Sequence, residues 1–282
     1  MPNLAPENDV TAYTTAYPNA NAALACAILF WILGIINLGA TIKTRAWFVL
    51  FCTVSCVLEG VGYLYRRKML YTPTMGTYIV SQCFLIITPI LLALVDYVLV
   101  GKLLERGNFQ EDPRLRSMRP RWIARIFTAS DFFCLALQGG GSSLLVNSSP
   151  SQIKLGDTIL RVGIFLQIGI FSLFAIFSIL VYISPALKYR YNLAFRPIFT
   201  MLAITWSLMQ IRNIYRAVEF LMGFHGYINA KEEFLYCFDF ALIFITCMFF
   251  TFGHYGFYLE KSSNQVADIQ PIAEDVEKSP RK

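Results

Sequence analysis

The chain has 282 residues, 56% of them hydrophobic and 15% charged, with a formal net charge of +6. Such an apolar share, with 24 Phe and 15 Tyr, argues against both a water-soluble domain and a disordered polypeptide. The positive excess sits mostly in loops on one side of the expected membrane topology, so its natural counterpart is an anionic leaflet and not a nucleic acid.

Seven apolar runs reach the length of about 20 residues that a helix needs to cross a bilayer. They are 21–41, 46–65, 76–101, 122–146, 157–183, 197–222 and 234–258. The fold expected is all-α, a polytopic seven-transmembrane-helix bundle. Residues 1–20 form a segment without Lys or Arg, which lacks the basic start of a cleavable signal peptide. Residues 21–258 form the membrane domain. Residues 259–282 mix charges with Pro and Ser and are expected to be a disordered cytoplasmic tail. The loops after spans one, three and five, with the tail, hold 15 Lys and Arg; the N-terminal segment and the other three loops hold 5. The positive-inside rule then places the N-terminus outside and the C-terminus in the cytoplasm. The sequon Asn147-Ser148-Ser149 falls in an outside loop under that topology, making Asn147 a glycosylation candidate, although Pro150 follows it.

Polar residues inside the spans carry most of the functional information, because each charge at membrane depth costs about 2.5 to 17 kcal/mol. Span two contains Glu59. Span three contains Pro89, expected to kink it, and Asp96, expected at the cytoplasmic interface. A basic loop with Arg114, Arg116, Arg119 and Arg121 leads to span four. That span carries Asp131 and Gln138, seven residues apart and hence on one helix face, followed by Gly139-Gly140-Gly141. These glycines either permit close helix packing or line a path. Span six carries Arg212, Arg216 and Glu219, whose spacings of four and three stack them along one face. Span seven carries Asp239.

The expected topology puts Glu59, Arg212, Arg216, Glu219 and Asp239 in the outer half of the membrane. Pairing of Glu59, Asp239 and Asp131 with Arg212 and Arg216 is therefore expected, since unpaired buried charges are far more costly. Such a network either fixes helix order alone or faces a substrate- or proton-handling cavity. Arg216 and Glu219 could instead snorkel to the outer interface.

Enzymatic chemistry is not expected. Only His225 and His254 are present, no Cys/His metal spacing occurs among the seven cysteines, and no nucleotide-binding motif is found. The last span holds no Lys for a retinal Schiff base. No cofactor, metal or nucleic-acid partner is expected, and oligomeric state leaves no signature.

Four stretches carry a resemblance. They are LEGVGYLYR around Glu59, the span-three run ending LLALVDYVLVGKLLER, DFFCLALQGGG from Asp131 to Gly141, and IRNIYRAVEFLMGFHGYINAKEEFLYCFDF from Ile211 to Phe240. With these, the chain resembles the fungal lipid-translocating exporter family, seven-span proteins tied to aminocholesterol resistance, sphingoid-base export and protoporphyrin uptake. The resemblance covers most of residues 20–258. It departs where several relatives have a His in span one and an Ala-x-Tyr pattern late in span three; here span one has no His, and Asp96 precedes Tyr97. The resemblance implies a plasma-membrane exporter or flippase-like transporter of amphipathic lipid-like molecules that confers resistance. In that reading Glu59, Asp131 and Asp239 meet an amine or titrate, Arg212 and Arg216 hold the acids or meet an anionic headgroup, and Gln138 and the glycines shape the path. A seven-helix receptor or stress-responsive regulator without transport activity fits the same spans.

Overall fold

A computed structural model describes residues 19–107, 110, 112–113, 115, 119–145, 150–187, 189–191, 193, 195–222, 227 and 231–258. Most of the N-terminal segment, Asn147, His225 and the C-terminal tail lie outside the described residues. Within them the fold is helical throughout: α1 (Ala20–Thr44), α2 (Leu50–Lys68), α3 (Met75–Arg106), α4 (Pro120–Leu145), α5 (Pro150–Ile183) and α6 (Arg196–Met222). The seventh rod is continuous but composite, formed by α7 (Glu232–Leu235), a π-helical turn (Tyr236–Phe240) and α8 (Ala241–Phe252). Five of the rods are long and apolar enough to cross a membrane by length and composition. The two that fall short of that apolarity, α4 and α6, carry Asp131, Gln138 and the arginine stripe.

Local chemistry sets the helix ends. The Asn19 side chain accepts from the N–H groups of Asn21 and Ala22 at 3.0 and 3.2 Å, capping α1. That helix stops at Arg45, whose φ of 52° is left-handed, and a 3₁₀ turn at Trp47–Val49 leads into α2. Thr74 and Thr77 form a reciprocal capping box at the start of α3. Beyond the end of α3, Tyr189 reaches back to donate its hydroxyl to the Leu103 carbonyl, and burial pushes its phenol up to about 12.

Each rod packs on its chain neighbour, and α8 returns against α1 to close the bundle. Aromatic clusters fill the centre, with Phe30, Tyr63, Phe240 and Phe244 on one side and Tyr97, Phe127, Phe171 and Phe174 on another. The outer faces present Ile35, Phe133 and Leu173, each more than half exposed, as a lipid-facing surface requires. The described bundle is thus that of a polytopic membrane protein. One end gathers the start of α1, the end of α2 and the start of α7; there Glu232 accepts from Asn19 N–H and pairs with Arg66 at 3.0 Å. Arg66 belongs to α2 and is buried, not part of the outside loop to which the sequence had assigned it.

Candidate functional site

Near the Glu232 end, α6 and the seventh rod meet through charge. Arg212 and Arg216, one turn apart, both face Asp239: Arg212 Nε lies 2.6 Å from Oδ1, and Arg216 Nη2 lies 2.6 Å from Oδ2. Arg216 Nη1 also reaches Glu219 Oε2 at 3.0 Å along its own helix. Each Asp239 oxygen thus serves one guanidinium, and both arginines are buried. Neither Arg216 nor Glu219 snorkels away. Asp239 sits in the π-helical turn, where the Ala241 N–H bonds back to Tyr236 O and an extra residue is accommodated. Such widened turns recur at functional sites.

A backbone defect in α3 completes the setting of Arg212. Proline has no N–H, so Pro89 cannot bond to the carbonyl four residues earlier, that of Leu85. Arg212 Nη2 fills the gap, donating to Leu85 O at 2.8 Å. A charged side chain on α6 therefore satisfies an acceptor that α3 cannot satisfy itself.

Glu59 on α2 is fully buried and within electrostatic reach of Asp239, Arg212 and Arg216, yet no ion pair joins it to them among the described residues. Both of its carboxyl oxygens are without a hydrogen-bond partner among those residues. The Thr88 hydroxyl lies close enough to interact with that carboxyl, but its own hydrogen bond is donated to Phe84 O at 3.0 Å. The charge count explains the isolation. Arg212 and Arg216 are balanced by Asp239 and Glu219, so no countercharge is left over for Glu59.

Asp131 does not join the arginines. Its Oδ2 accepts from the Tyr97 hydroxyl at 2.7 Å, because α4 is adjacent to α3 and α5 and its Asp131 face turns toward Tyr97. Gln138 donates to Gln167 Oε1 at 2.7 Å, bridging α4 to α5. Of the three glycines only Gly141 serves packing: a Cβ there would meet Leu160 N at 2.7 Å and Gly156 O at 2.8 Å. Gly139 and Gly140 are exposed with open space around them, so they bring no helices into close contact.

A seam between α3, α4, α5 and α6 joins Gln138 and Gln167 to the two arginines. It is lined by Gln138, Gln167, Asn213, Arg212, Arg216 and apolar side chains such as Ile86 and Phe220. The space open to a water molecule's centre is about 20 Å³, room for about one water, so the seam is closed in this conformation. Its lining places guanidinium and amide donors against apolar walls, the chemistry of an amphipath's headgroup.

The comparisons with known proteins bear on this arrangement. Residues 52–262 match the family model described as RTA1 like protein, and this stretch contains every charged group of the network. The chain belongs to this RTA1-like, fungal lipid-translocating exporter family. It is similar to Protoporphyrin uptake protein 1 of Saccharomyces cerevisiae, 30% identical over 221 residues, 74% of this chain and 68% of that protein. Protein RTM1 of the same species is 28% identical over 240 residues, covering 78% and 73%. Protein RTA1, also from that yeast, is 31% identical over 201 residues, covering 69% and 62%. No solved structure matches the chain.

Several buried polar groups of this RTA1-like chain escaped the sequence reading. Asp96 is fully buried within the bundle and accepts from the hydroxyls of Thr205 and Tyr255, each at 3.1 Å. On α1, α2 and α8, Asn37 accepts from Thr53 at 2.9 Å and donates to Thr251 at 3.2 Å, while Thr41 links it to His254. The thiols of Cys52, Cys56 and Cys247 converge within 4.8 Å of one another, a grouping invisible to a spacing search because the third lies on a different helix. As buried thiols they pack as small apolar groups; as thiolates their donor set would suit a soft metal ion.

Proposed function

We propose that this protein is a plasma-membrane transporter or flippase-like exporter of amphipathic lipid-like molecules, and that it is not an enzyme. Family membership supports a membrane protein linked to resistance and to lipid or porphyrin movement. The observation that carries the site assignment is Glu59, a buried carboxyl with no hydrogen-bond partner among the described residues beside a charge network that balances without it. A proton or the ammonium of a sphingoid-type headgroup would supply the missing positive charge. Arg212 and Arg216 would meet anionic groups such as the carboxylates of a porphyrin. The closed seam would open by movement of α4 and α5 against α6, exposing the guanidinium and amide donors to the substrate's polar end. The basic-residue count supports an orientation with the N-terminus outside, which puts this network in the outer half of the bilayer.

The test is transfer of a fluorescent sphingoid base across liposomes containing the full chain. Wild type accelerates crossing, and Glu59→Gln slows it by about tenfold or more, the loss of one charge-assisted contact of ~1.5 kcal/mol, without lowering thermal stability. Equal rates for wild type and Glu59→Gln would remove the role assigned to Glu59. Wild-type liposomes no faster than empty ones would replace transport with the receptor or regulator reading.

A further inference from the structure

The end of the bundle opposite the arginine network holds a second concentration of positive charge. There α4 begins at Pro120, and Arg119, Arg121 and Arg125 are all exposed. Gly101 draws α3 and α4 together, since a Cβ at that position would lie 3.2 Å from Pro120 O. Glu105, Pro120, Trp122 and the three arginines line a cleft of about 530 Å³. Glu105 meets Arg121 at 3.5 Å with both side chains well exposed, a weak pair that leaves the cleft with a surplus of two positive charges. Arg125 lies 5.7 Å from the Trp122 ring centre, which holds its guanidinium beside the indole.

An apolar track leaves this cleft along α4. Trp122, Ile126 and Phe133 are each more than half exposed, and offsets of four and eleven residues put them on one helix face. That face looks outward from the bundle. A tryptophan at the head of such a track, beside cations, is the arrangement of a membrane–water interface. The cleft therefore presents charge at headgroup level and hydrocarbon contact directly below it. A free phosphate would use the first feature and leave the second without purpose.

We propose that this cleft binds the phosphate-bearing headgroup of an anionic glycerophospholipid, with the acyl chains lying along Trp122, Ile126 and Phe133. The lipid is a resident of the α3–α4 end, separate from the transported substrate. Its site lies on the side that the basic-residue count assigns to the cytoplasm, where anionic lipids concentrate.

The experiment places full-length protein in nanodiscs of phosphatidylcholine with a minor fraction of phosphatidylserine or a phosphatidylinositol phosphate. Lipid retained after extraction is counted by native mass spectrometry. Wild type retains the anionic lipid preferentially. The double variant Arg121→Gln/Arg125→Gln retains it about 30-fold more weakly, because each basic residue near an anionic surface contributes about 1 kcal/mol. Arg121→Lys/Arg125→Lys keeps most of the preference, and unchanged thermal midpoints in pure phosphatidylcholine separate binding from folding. Trp122→Ala weakens lipid retention. Equal retention of phosphatidylcholine and anionic lipid, or no loss in the glutamine variant, overturns the proposal. So does full displacement by soluble inositol phosphate at matched concentration, which would make the cleft a free-phosphate site.

Discussion

Two of the buried polar networks among the described residues differ in kind. Toward the end where α1 meets α2, the network is neutral. The Gly256 N–H donates to His254 Nδ1, so Nε2 carries the ring proton and donates to Thr41; Thr41 donates to Asn37, and Asn37 to Thr251, which ends on Cys247 O. Every step has a donor and an acceptor. Toward the Glu232 end the network is ionic, closes on Asp239, and leaves one carboxyl aside. A chain of matched neutral bonds is sufficient to fix how three helices pack. A balanced ion cluster with an unmatched acid next to it does more than packing requires, and this is the physical ground for locating function at that end.

Breaking the ionic network has the largest expected effect. Asp239→Ala leaves two buried guanidiniums without their shared partner and costs about 3–5 kcal/mol, read as a loss of thermal stability in detergent or nanodiscs. Replacing Arg212, Arg216 and Asp239 together by apolar residues of similar volume recovers much of that stability but not the proposed transport, because the charges themselves are gone. Next comes the neutral network: Asn37→Ala removes the acceptor of Thr53 and the donor to Thr251 and costs about 1–3 kcal/mol. Transport per folded molecule stays unchanged in that variant, and a drop in its rate would erase the contrast between the two ends. Tyr189→Phe deletes a single bond to the Leu103 carbonyl and costs about 1 kcal/mol, seen as a small fall in thermal midpoint. The smallest stability effect belongs to Glu59→Gln, which replaces a carboxyl that accepts no hydrogen bond among the described residues while retaining its shape.

Much of this contrast could be read before the structure. Hydropathy identified all seven rods, including α4 and α6, whose polar residues lower their apolarity. The four- and three-residue spacings on α6 correctly put Arg212, Arg216 and Glu219 on one face, and estimated depth brought Asp239 to them. Depth along the membrane says nothing about rotation around a helix, however. That is why Asp131 was grouped with the arginines although it turns to Tyr97, and why the packing of Asp96 under Thr205 and Tyr255 was not foreseen. Arg66 was counted as a loop residue because the apolar run of span two ends at 65, and the acid that draws it inward, Glu232, lies at the start of α7. The π turn around Asp239 has no sequence mark. Pro89 was visible in the sequence, but its link to Arg212 needs the knowledge that α3 faces α6.

That last link also constrains motion. If α6 were to rotate or slide away from α3, the Leu85 carbonyl would be stranded in hydrocarbon without any donor, at a cost of about 1–3 kcal/mol on top of the disturbed ion cluster. α3 and α6 are therefore latched into one frame, and a missing backbone bond that would ordinarily loosen a helix here serves as a fastener. Any alternation of access has to be carried by the helices that this latch leaves untied.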